Sequence, residues 1–535
     1  MIDRRILMFN RLTVLVIITA ALFSSAAQRS PWEHNKNELE KDIKIIPGES
    51  FIKYPAAYTR ERELYGYNPR FMPMPVFFDR DNRPYMITAV PPGNEIGNNR
   101  SHFQRFSVTE NAFIQTLDDN GKWVVYDIGE IIKGLFPSED DYKPAIQTGY
   151  NYTHKIFFDE ENRLYFYTVA ANPKLSGTLF LYTDSNREKW DSFRFADVLN
   201  PSVESYDSFN FAEKGLPTIS YYERADGEKF IAFAELDKSK SGELIFKGHN
   251  RAVSEAAAFS GSHSGYLNFT VTTENRIHFF WIDMANQDVE EHTTQRTCYF
   301  DKKTGRFSKP QRLGSTFALP WTNANDGKTY SGPNTHNGPA VTIDSNNVLH
   351  VVLGGHGSQA KYTYSTDNGD SWAEATDLPG ENSNNSYPTL ITDKQGTVHL
   401  VYRATLKPVF YEDEERTGGD YRLSYARKKL GQPWECMSGL VVPGNDAYSI
   451  YMQTLTVDRL GRLFLHYYYR ADILSERDKR LYRAKWPDAP DPDVQANIRT
   501  HDPVIIMSDD GGDSWRIAKT EDFVNGLIKK NDDNE

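Results

Sequence analysis

One pattern of hydrophobic and polar positions returns along most of the chain. A run of alternating hydrophobic residues meets a short turn rich in Asp, Asn or Gly, and a second alternating run follows. The pattern is centred on seven acidic turn residues, which are Asp79, Asp159, Asp226, Glu274, Asp344, Asp393 and Asp458. Alternation with a period of two is typical of strands that bury one face. Two such runs around a polar turn indicate a β-hairpin, so the sequence predicts seven hairpins.

The spacing of these turns predicts how the hairpins are arranged. Consecutive turns are 48 to 80 residues apart, which is too irregular for a short solenoid and leaves room for four-stranded units with variable loops. Radial closure of such units leaves only short, protected strand edges. We therefore predict an all-β fold, a seven-bladed β-propeller spanning residues 68–520. The alternative is two or three β-sandwiches in series, which would need linkers rich in Pro, Gly or Ser that the sequence does not contain.

A second repeat favours the same fold. The segments from Ser365 to Trp372 and from Ser508 to Trp515 both fit S-x-D-x-G-x-x-W, and a looser version runs from Tyr182 to Trp190. These segments resemble the Asp-box of sialidase-like propellers, in which the Asp side chain ties a β-turn and the Trp packs between strands. The resemblance implies a structural role away from any functional site.

The composition and net charge of the chain limit both the fold class and the kinds of partner that we expect. The chain has 35 Gly, 27 Pro and 13% aromatic residues, which favours short strands and turns over a helical bundle. Its net charge is −12 and no basic stripe is present, which argues against a nucleic-acid partner. Cys298 and Cys436 either pair or remain as separate thiols, since their separation in sequence does not decide between the two.

The amino-terminal segment of the chain predicts export. Residues 1–27 combine Arg4, Arg5 and Arg11 with an apolar run and small residues, as in a cleavable signal peptide. An uncleaved anchor is the alternative, but the apolar run is short for a membrane span. We expect an N-terminal wrap over residues 28–67, a polar C-terminal tail over 521–535, no membrane span after signal removal, and a secreted or periplasmic monomer.

Three neighbouring hairpins carry the candidate chemistry. His336 and His356 bracket the hairpin around Asp344, Tyr387 and Arg403 bracket the next one, and Tyr448 or Tyr451 together with Arg470 bracket the last. The start of the first strand and the end of the second lie at the same end of a hairpin, so these side chains are predicted to share one face. Asn334 and Asn337 flank His336 and are predicted substrate contacts. His350 and His399 lie inside alternating strands and are predicted to be structural.

These residue types suit an anionic sugar that must lose a proton. Imidazole with Asn or Arg can neutralise a uronate carboxylate and acidify the adjacent C5 proton. A Tyr beside an Arg could then remove that proton and protonate the departing O4, although an unperturbed phenol has a pKa of about 10. This chemistry is a β-elimination that requires no cofactor or catalytic metal. Asp420 and the acidic run 412–415 are interpreted as solvated loop, with a structural Ca²⁺ site as the alternative.

The segment from Gly332 to Ile517 resembles the BNR-4 type propellers, which include the ulvan lyases and the rhamnose-glucuronate lyases. The resemblance rests on HNGPAVTIDSNNVLHVVLGGH, SYPTLITDKQGTVHLVYR, YMQTLTVDRLGRLFLHYYYR and SDDGGDSW. It implies that His336 and His356 neutralise the uronate, that Tyr387 is both base and acid, that Arg403 supports it, and that Tyr451 lines the cleft.

Three functions remain open from the sequence. The leading hypothesis is a secreted lyase that cleaves an ulvan-like or rhamnose-glucuronate polysaccharide. A glycoside hydrolase on the same fold, rhamnosidase- or sialidase-like, is the second hypothesis, although no arginine triad of the sialidase type can be placed in the chain. The third is a non-catalytic propeller that binds glycans through an aromatic rim and needs no partnership between Tyr387 and Arg403.

Overall fold

The structure is a computed structural model that describes the parts of the chain forming its sheets and turns. The described residues are 76–90, 111–137, 144–145, 156–159, 161–170, 177–195, 199–203, 218–225, 228–238, 244–254, 257–258, 270–273, 275–283, 292–317, 321–322, 329–330, 337–355, 358–378, 385–405, 421–441, 448–471 and 500–528. The predicted signal peptide, the N-terminal wrap and the acidic loop considered for Ca²⁺ lie outside these ranges.

The amino-terminal half forms three antiparallel sheets, numbered in chain order. Sheet 1 contains β1 (Phe77–Phe78), β2 (Pro84–Val90), β3 (Asn111–Leu117) and β4 (Trp123–Asp127). Sheet 2 contains β5 (Pro144–Ala145), β6 (Ile156–Phe158), β7 (Leu164–Ala170), β8 (Gly177–Thr183) and β9 (Trp190–Phe195). Sheet 3 contains β10 (Leu199–Val203), β11 (Thr218–Ala225), β12 (Glu228–Lys238) and β13 (Leu244–Ser254).

Sheet 4 and a small two-stranded sheet follow. Sheet 4 contains β14 (Ala257–Ala258), β15 (Thr270–Thr272), β16 (Arg276–Asp283), β17 (His292–Asp301), β18 (Arg306–Phe307) and β19 (Gln311–Phe317). The small sheet pairs β20 (Trp321–Thr322) with β21 (Thr329–Tyr330).

Three four-stranded sheets complete the chain, each with its strands paired in sequence order. Sheet 5 contains β22 (Ala340–Ile343), β23 (Leu349–Leu353), β24 (Lys361–Ser365) and β25 (Thr376–Asp377). Sheet 6 contains β26 (Ser386–Thr392), β27 (Thr397–Thr405), β28 (Tyr421–Lys429) and β29 (Glu435–Val441). Sheet 7 contains β30 (Tyr448–Val457), β31 (Leu463–Ala471), β32 (Thr500–Ser508) and β33 (Arg516–Ile517).

The expected hairpins are present at all seven positions. Strand pairs β1/β2, β6/β7, β11/β12, β15/β16, β22/β23, β26/β27 and β30/β31 are antiparallel and flank the seven predicted turns. Sheet 3 differs in detail, because β10 pairs outside β11 and moves its hairpin to the middle of the sheet. The prediction of an all-β chain is therefore confirmed, and sheets 1, 3, 5, 6 and 7 have the expected four strands.

The turns form because one carboxylate oxygen holds them. In the turn of sheet 6, Asp393 Oδ1 accepts hydrogen bonds from the backbone amides of Gln395 (2.9 Å) and Thr397 (2.8 Å). The turns that begin at Asp79, Asp159, Asp344 and Asp458 repeat these two bonds, to the amides two and four residues later. Such Asx-type bonds explain why Asp recurs at this place in the sequence.

The two full Asp-boxes join neighbouring sheets. In sheet 5, Asp367 Oδ1 accepts from Ser365 Oγ (2.8 Å) and from the Ser371 amide (2.9 Å), and Trp372 packs edge-on against Phe280 of sheet 4. In sheet 7, Trp515 packs edge-on against Tyr425 of sheet 6. Both boxes lie at the same end as the hairpin turns, since each connects the third strand of its sheet to the fourth.

The last sheet contacts the first. Asn82 in the turn of sheet 1 donates to Asp458 Oδ2 in sheet 7 (3.0 Å) and accepts from the Arg459 amide (2.7 Å). Phe78 packs on Phe464 with ring centroids 4.9 Å apart. Sheets 4 to 7 also contact one another in sequence order, through β15 and β22, β22 and β26, and β26 and β30. Contacts between the first and last sheets are what a closed ring of sheets requires.

Two helices lie among the described residues. Helix α1 (Ile128–Leu135) follows β4, is capped by the Asp127 side chain and buries Ile128 and Ile132. Helix α2 (Thr520–Gly526) lies in the segment expected to be a polar tail. Its Phe523 is fully buried against Phe464 and Phe78, and the Gly526 carbonyl accepts from Asn82. The fold therefore extends past residue 520, because Phe523 and the partly buried Val524 and Leu527 pack the helix against the contact between sheets 1 and 7.

Two further features bear on the sequence analysis. Cys298 is buried, Cys436 is exposed, and the two do not form a disulfide with each other. Of the helices within the described ranges, neither has the length and hydrophobicity needed to cross a membrane.

Candidate functional site

The candidate site lies at the ends of sheets 5, 6 and 7 opposite their first hairpin turns, here called the open end. Three of the predicted residues, Asn334, His336 and His356, lie outside the described residues. Tyr448, Tyr451 and Arg470 occupy the open ends of β30 and β31, where Ser449 pairs with Arg470 and Tyr451 with Tyr468. The structure describes side-chain surroundings for Tyr387, Arg403 and Asn337.

Tyr387 and Arg403 are in direct contact. The guanidinium carbon of Arg403 lies 4.5 Å from the centroid of the Tyr387 ring, which is the geometry of a cation–π interaction. Both side chains are almost fully buried, at 4% and 5% exposure, so solvent screens the interaction little. Arg403 Nε also donates to Ser386 Oγ at 3.2 Å, which fixes the plane of the guanidinium group. The structure therefore brings together the two residues that the sequence places at the ends of one hairpin.

Tyr387 has an unusual backbone conformation. Its φ is +53°, in the left-handed region that side chains with a Cβ rarely occupy, and it directly precedes Pro388, which further restricts it. The pairing of β26 with β27 shifts register between Ser386 and Thr389, so Tyr387 lies in a β-bulge. A bulge re-aims a side chain relative to the strand and is frequent beside functional sites. Here it brings the Tyr387 ring onto Arg403.

A side chain from the next sheet holds this bulge. Gln453 on β30 donates from Nε2 to the Tyr387 carbonyl oxygen at 2.6 Å, and the Leu455 amide donates to Thr389 Oγ1 at 3.1 Å. Gln453 is fully buried. The sequence analysis did not identify Gln453, although a Gln among the hydrophobic residues of a strand is a signal that could have drawn attention to it.

Asn337 has an internal role. Its side chain is fully buried and donates from Nδ2 to Thr316 Oγ1 at 3.1 Å. Thr316 Oγ1 in turn donates to the Gly354 carbonyl at 2.7 Å and accepts from Gln295 Nε2 at 3.3 Å. The sequence predicted Asn337 as a substrate contact, whereas the structure places its amide in this internal hydrogen-bond network, as a buried polar group requires. Thr316 and Gln295, both missed from the sequence, tie the residue after His336 to sheet 4.

The segment that contains His356 is fixed at both of its described ends. The Gly355 amide donates to the Asn385 carbonyl (3.1 Å), and the Asn385 amide donates to the Ser358 carbonyl (3.0 Å). Asn385 Oδ1 also accepts from the Ala360 amide at 3.2 Å. A Cβ at Gly355 would lie 2.6 Å from the Ser358 carbonyl oxygen, so only glycine fits this close approach. These bonds place the flanks of His356 two residues from Tyr387.

Three of the described histidines, His278, His350 and His399, lie near the hairpin turns and away from this site. His350 and His399 are fully buried near the hairpin turns, bonded to Tyr362 and Tyr425 at 2.7 Å through Nδ1. Burial lowers the pKa of His350, partly offset by Asp344. Burial also lowers the pKa of His278 to about 4 and that of His466 to about 3. His350 and His399 are structural in this geometry, as the sequence predicted.

No group of three or more His, Cys, Asp or Glu side chains within the described ranges is arranged to hold a metal ion. The described polar groups at the open end are amides, hydroxyls, a phenol and a guanidinium.

Comparison with known proteins connects the carboxy-terminal part of the chain to a family. Residues 311–533 match the family described as BNR repeat-containing family member. The match includes sheets 5, 6 and 7 and confirms the BNR resemblance for this part of the chain. No curated protein matches the chain.

Several solved structures are similar at low identity. An ulvan lyase of polysaccharide lyase family 25 has a TM-score of 0.38 and 11% identity, over 86% of this chain and 99% of that chain. An α-L-arabinofuranosidase from Fusarium graminearum has a TM-score of 0.35 and 13% identity, over 59% and 87%. The β-propeller domain of the Trilobed protease from Pyrococcus furiosus has a TM-score of 0.39 and 8% identity, over 86% and 99%. Likenesses this distant do not identify a function for this chain.

Proposed function

We propose that this protein is a secreted polysaccharide lyase, built as a seven-bladed β-propeller, that cleaves a uronic-acid-containing glycan of the ulvan or rhamnose-glucuronate type by β-elimination. In this proposal each of the seven sheets is one blade. The contact of sheet 7 with sheet 1 through Asn82, Asp458 and Arg459 supports ring closure.

The observation that carries the proposal is the buried pair of Tyr387 and Arg403. The positive charge of a guanidinium 4.5 Å from the centroid of the phenol ring favours the negatively charged phenolate, whereas burial by itself opposes ionisation of the phenol. A phenolate is a competent base for the C5 proton of a uronate whose carboxylate is neutralised. A propeller that only binds glycans would not need a strained tyrosine backbone to bring this ring onto an arginine.

The proposed reaction uses one residue twice. The Tyr387 phenolate oxygen takes the proton from C5, and the C–H electron pair forms the C4=C5 double bond. The C4–O4 bond breaks, and the departing O4 receives the proton that Tyr387 has just acquired. His336 and His356 are proposed to bind the uronate carboxylate, and no metal or cofactor takes part in a step.

The remaining assignments extend the site across sheet 7. Asn334, Tyr448, Tyr451 and Arg470 are proposed to contact the anionic polysaccharide on either side of the cleaved bond. Residues 1–27 are proposed to act as a cleaved signal peptide, which would release a monomer to the periplasm or the medium. A structural Ca²⁺ held by Asp420 and the acidic run 412–415 is the alternative to a solvated loop there, and the reaction does not require it.

The test is incubation of the purified protein with ulvan and with rhamnose-glucuronate polysaccharide. A lyase produces an unsaturated uronate, which absorbs in the ultraviolet, together with new reducing ends. The Tyr387→Phe variant should lose this activity while its circular dichroism and melting temperature stay the same. New reducing ends without ultraviolet absorbance would indicate a hydrolase, binding without either product would indicate a glycan-binding propeller, and full activity of Tyr387→Phe would remove Tyr387 from the mechanism.

A further inference from the structure

We propose that Gln453 is the positioning residue that holds Tyr387 in its left-handed conformation, so that sheet 7 controls the orientation of the reactive phenol of sheet 6. The inference about catalysis rests on the proposed function. The inference about the Tyr387 backbone does not, because it concerns a geometry that can be measured without substrate.

The conformation of Tyr387 is costly by itself. A left-handed φ on a residue with a large side chain is strained, and it persists only where surrounding contacts impose it. Among the described residues, the other positive-φ positions without glycine are Asn82, Asn162, Arg187, Asn347 and Asn368, all in turns. Tyr387 differs from these five residues, because it lies within a strand and precedes a proline. A specific contact must therefore offset the strain.

The hydrogen bond from Gln453 reaches the strained residue directly. Its Nε2 lies 2.6 Å from the Tyr387 carbonyl oxygen. Because a carbonyl only accepts, the nitrogen of the Gln453 amide must face it, which fixes the orientation of the amide. Its other end, Oε1, is buried and has no hydrogen-bond partner among the described residues. The side chain is thus held in place by its bond to Tyr387 and by packing.

Two other bonds fix the flanks of the bulge but not its centre. Arg403 Nε binds Ser386 Oγ on one side, and the Leu455 amide binds Thr389 Oγ1 on the other. Neither of these two bonds reaches the peptide group between Tyr387 and Pro388. Gln453 Nε2 binds the carbonyl oxygen of that peptide group itself, so its bond restrains the direction of the Tyr387 carbonyl.

The first test removes the donor while keeping the volume. In Gln453→Met, the Tyr387 carbonyl loses its partner, and we expect kcat to fall at least tenfold while KM changes less than twofold. We also expect a crystal structure of this variant to show Tyr387 outside the left-handed region. The matched control is Thr454→Val at the neighbouring buried residue. The Thr454 hydroxyl has no hydrogen-bond partner among the described residues, so this substitution should leave kcat unchanged.

The second test restores the donor with acid. In Gln453→Glu, a carboxylate would oppose the carbonyl oxygen of Tyr387, but the protonated acid can donate to it as the amide does. The kcat of this variant should therefore recover relative to the native protein as the pH is lowered. The titratable or charged groups described at this level on the adjoining strands are Tyr387 on β26, Arg403 on β27, and His466 and the buried Tyr467 on β31. Burial keeps the pKa of His466 near 3, so it stays neutral over this range.

The outcomes separate the two claims. If Gln453→Met keeps both kcat and the left-handed φ of Tyr387, the positioning role is wrong. If φ changes as expected but the native protein forms no unsaturated uronate, the positioning role stands and the lyase proposal fails. A merely structural Gln453 would lower the melting temperature of both variants without the acid recovery of Gln453→Glu, and that result would also overturn the proposed role.

Discussion

The two ends of strand β27 differ in a way that separates fold from function. At the end near the hairpin turn, His399 Nε2 binds Asp393 Oδ2 at 3.1 Å and its Nδ1 binds the Tyr425 hydroxyl at 2.7 Å. At the open end, four residues later, Arg403 packs on the strained Tyr387 and binds Ser386. Strand β27 thus has a histidine with both ring nitrogens hydrogen-bonded at one end, and at the other end an arginine that packs on the strained Tyr387 of β26.

The arrangement at the turn end is repeated. Sheet 5 has Asp344, His350 and Tyr362 in the same places, with His350 Nε2 3.5 Å from Asp344 and Nδ1 2.7 Å from Tyr362. Burial raises the pKa of Asp344, but hydrogen bonds from His350 and from backbone amides outweigh it and leave the pKa below its ordinary value. The pKa of Asp393 is lowered in the same way by His399 and Thr397. Repetition in two sheets indicates a structural role, because each sheet needs the same turn.

The open end is not repeated. Within the part of the chain that the structure describes, no second non-glycine strand residue adopts a left-handed φ. Strain is retained where neighbouring contacts impose it, and it is concentrated at functional sites. The comparison teaches that in a protein built of repeats, a residue set present in a single repeat is the better candidate for chemistry.

The largest expected effect comes from removing the cation at the open end. In Arg403→Ala, the phenolate of Tyr387 loses its opposite charge, and we expect kcat to fall about a thousandfold, equivalent to ~4 kcal/mol of activation free energy. The pH–rate profile should also move to more alkaline pH. The Arg403→Lys variant keeps the charge but loses the planar contact, so its kcat should lie between those of the native protein and Arg403→Ala. An unchanged profile in Arg403→Ala would show that Arg403 does not tune the base.

The counterpart at the turn end should affect stability instead. In His399→Phe, the buried Asp393 loses its side-chain donor and the Tyr425 hydroxyl loses its closest partner, which should cost about 3 kcal/mol in the free energy of unfolding. Sheet 7 already has Phe464 six residues after its turn Asp458, so the ring itself fits such a site. Urea unfolding measures the loss, and kcat of the folded fraction should remain native. A fall in kcat similar to that of Arg403→Ala would contradict the division between the two ends.

Acid should weaken the turn end through a buried histidine. His278 of sheet 4 binds Asn368 of the adjacent Asp-box at 3.0 Å, and burial lowers its pKa to about 4 from an ordinary 6.5; Asn368 and Asp370 oppose this and Arg276 adds to it. Below pH 6.5 the unfolded chain binds a proton here that the folded chain does not, so stability is complete above pH 6.5 and falls as the pH drops towards 4. This site alone should cost roughly 2 kcal/mol by pH 4.5.

The measurement is urea unfolding at several pH values between 7.5 and 4.5. The His278→Gln variant replaces the titrating ring by an uncharged side chain of similar volume. Its free energy of unfolding should therefore fall less between pH 7.5 and 4.5 than that of the native protein, and the difference should equal the loss assigned to His278. Parallel pH curves for the two proteins would show that His278 does not resist protonation in the fold.

The sequence was informative where a rule acts locally. The alternation of hydrophobic and polar residues identified the seven hairpins, because a strand that buries one face places every second side chain in the core. The acidic turn residues were also recognisable, because Asp accepts hydrogen bonds from amides two and four positions later. The pairing of Tyr387 with Arg403 also followed, since both ends of a hairpin meet. The Tyr387 backbone did not, because it depends on Gln453, 66 positions away. Helix α2 was missed because its contacts are made with residues far away in sequence, Phe523 with Phe78 and the Gly526 carbonyl with Asn82.

The smallest expected effect lies in the Asp-boxes, which belong to the turn end. In Asp367→Asn, one carboxylate oxygen that accepts from Ser371 Oγ is replaced by a donor, while the oxygen that binds Ser365 and the Ser371 amide can be kept. We expect the unfolding free energy to fall by about 1 kcal/mol with no change in kcat. Asp510→Asn is the matched variant in sheet 7, where Ser508 and Ser514 make the same bonds. Equal small losses in the two boxes would sharpen the comparison, because repeated sites should respond alike, whereas a selective loss of activity in either variant would place chemistry at the turn end and break it.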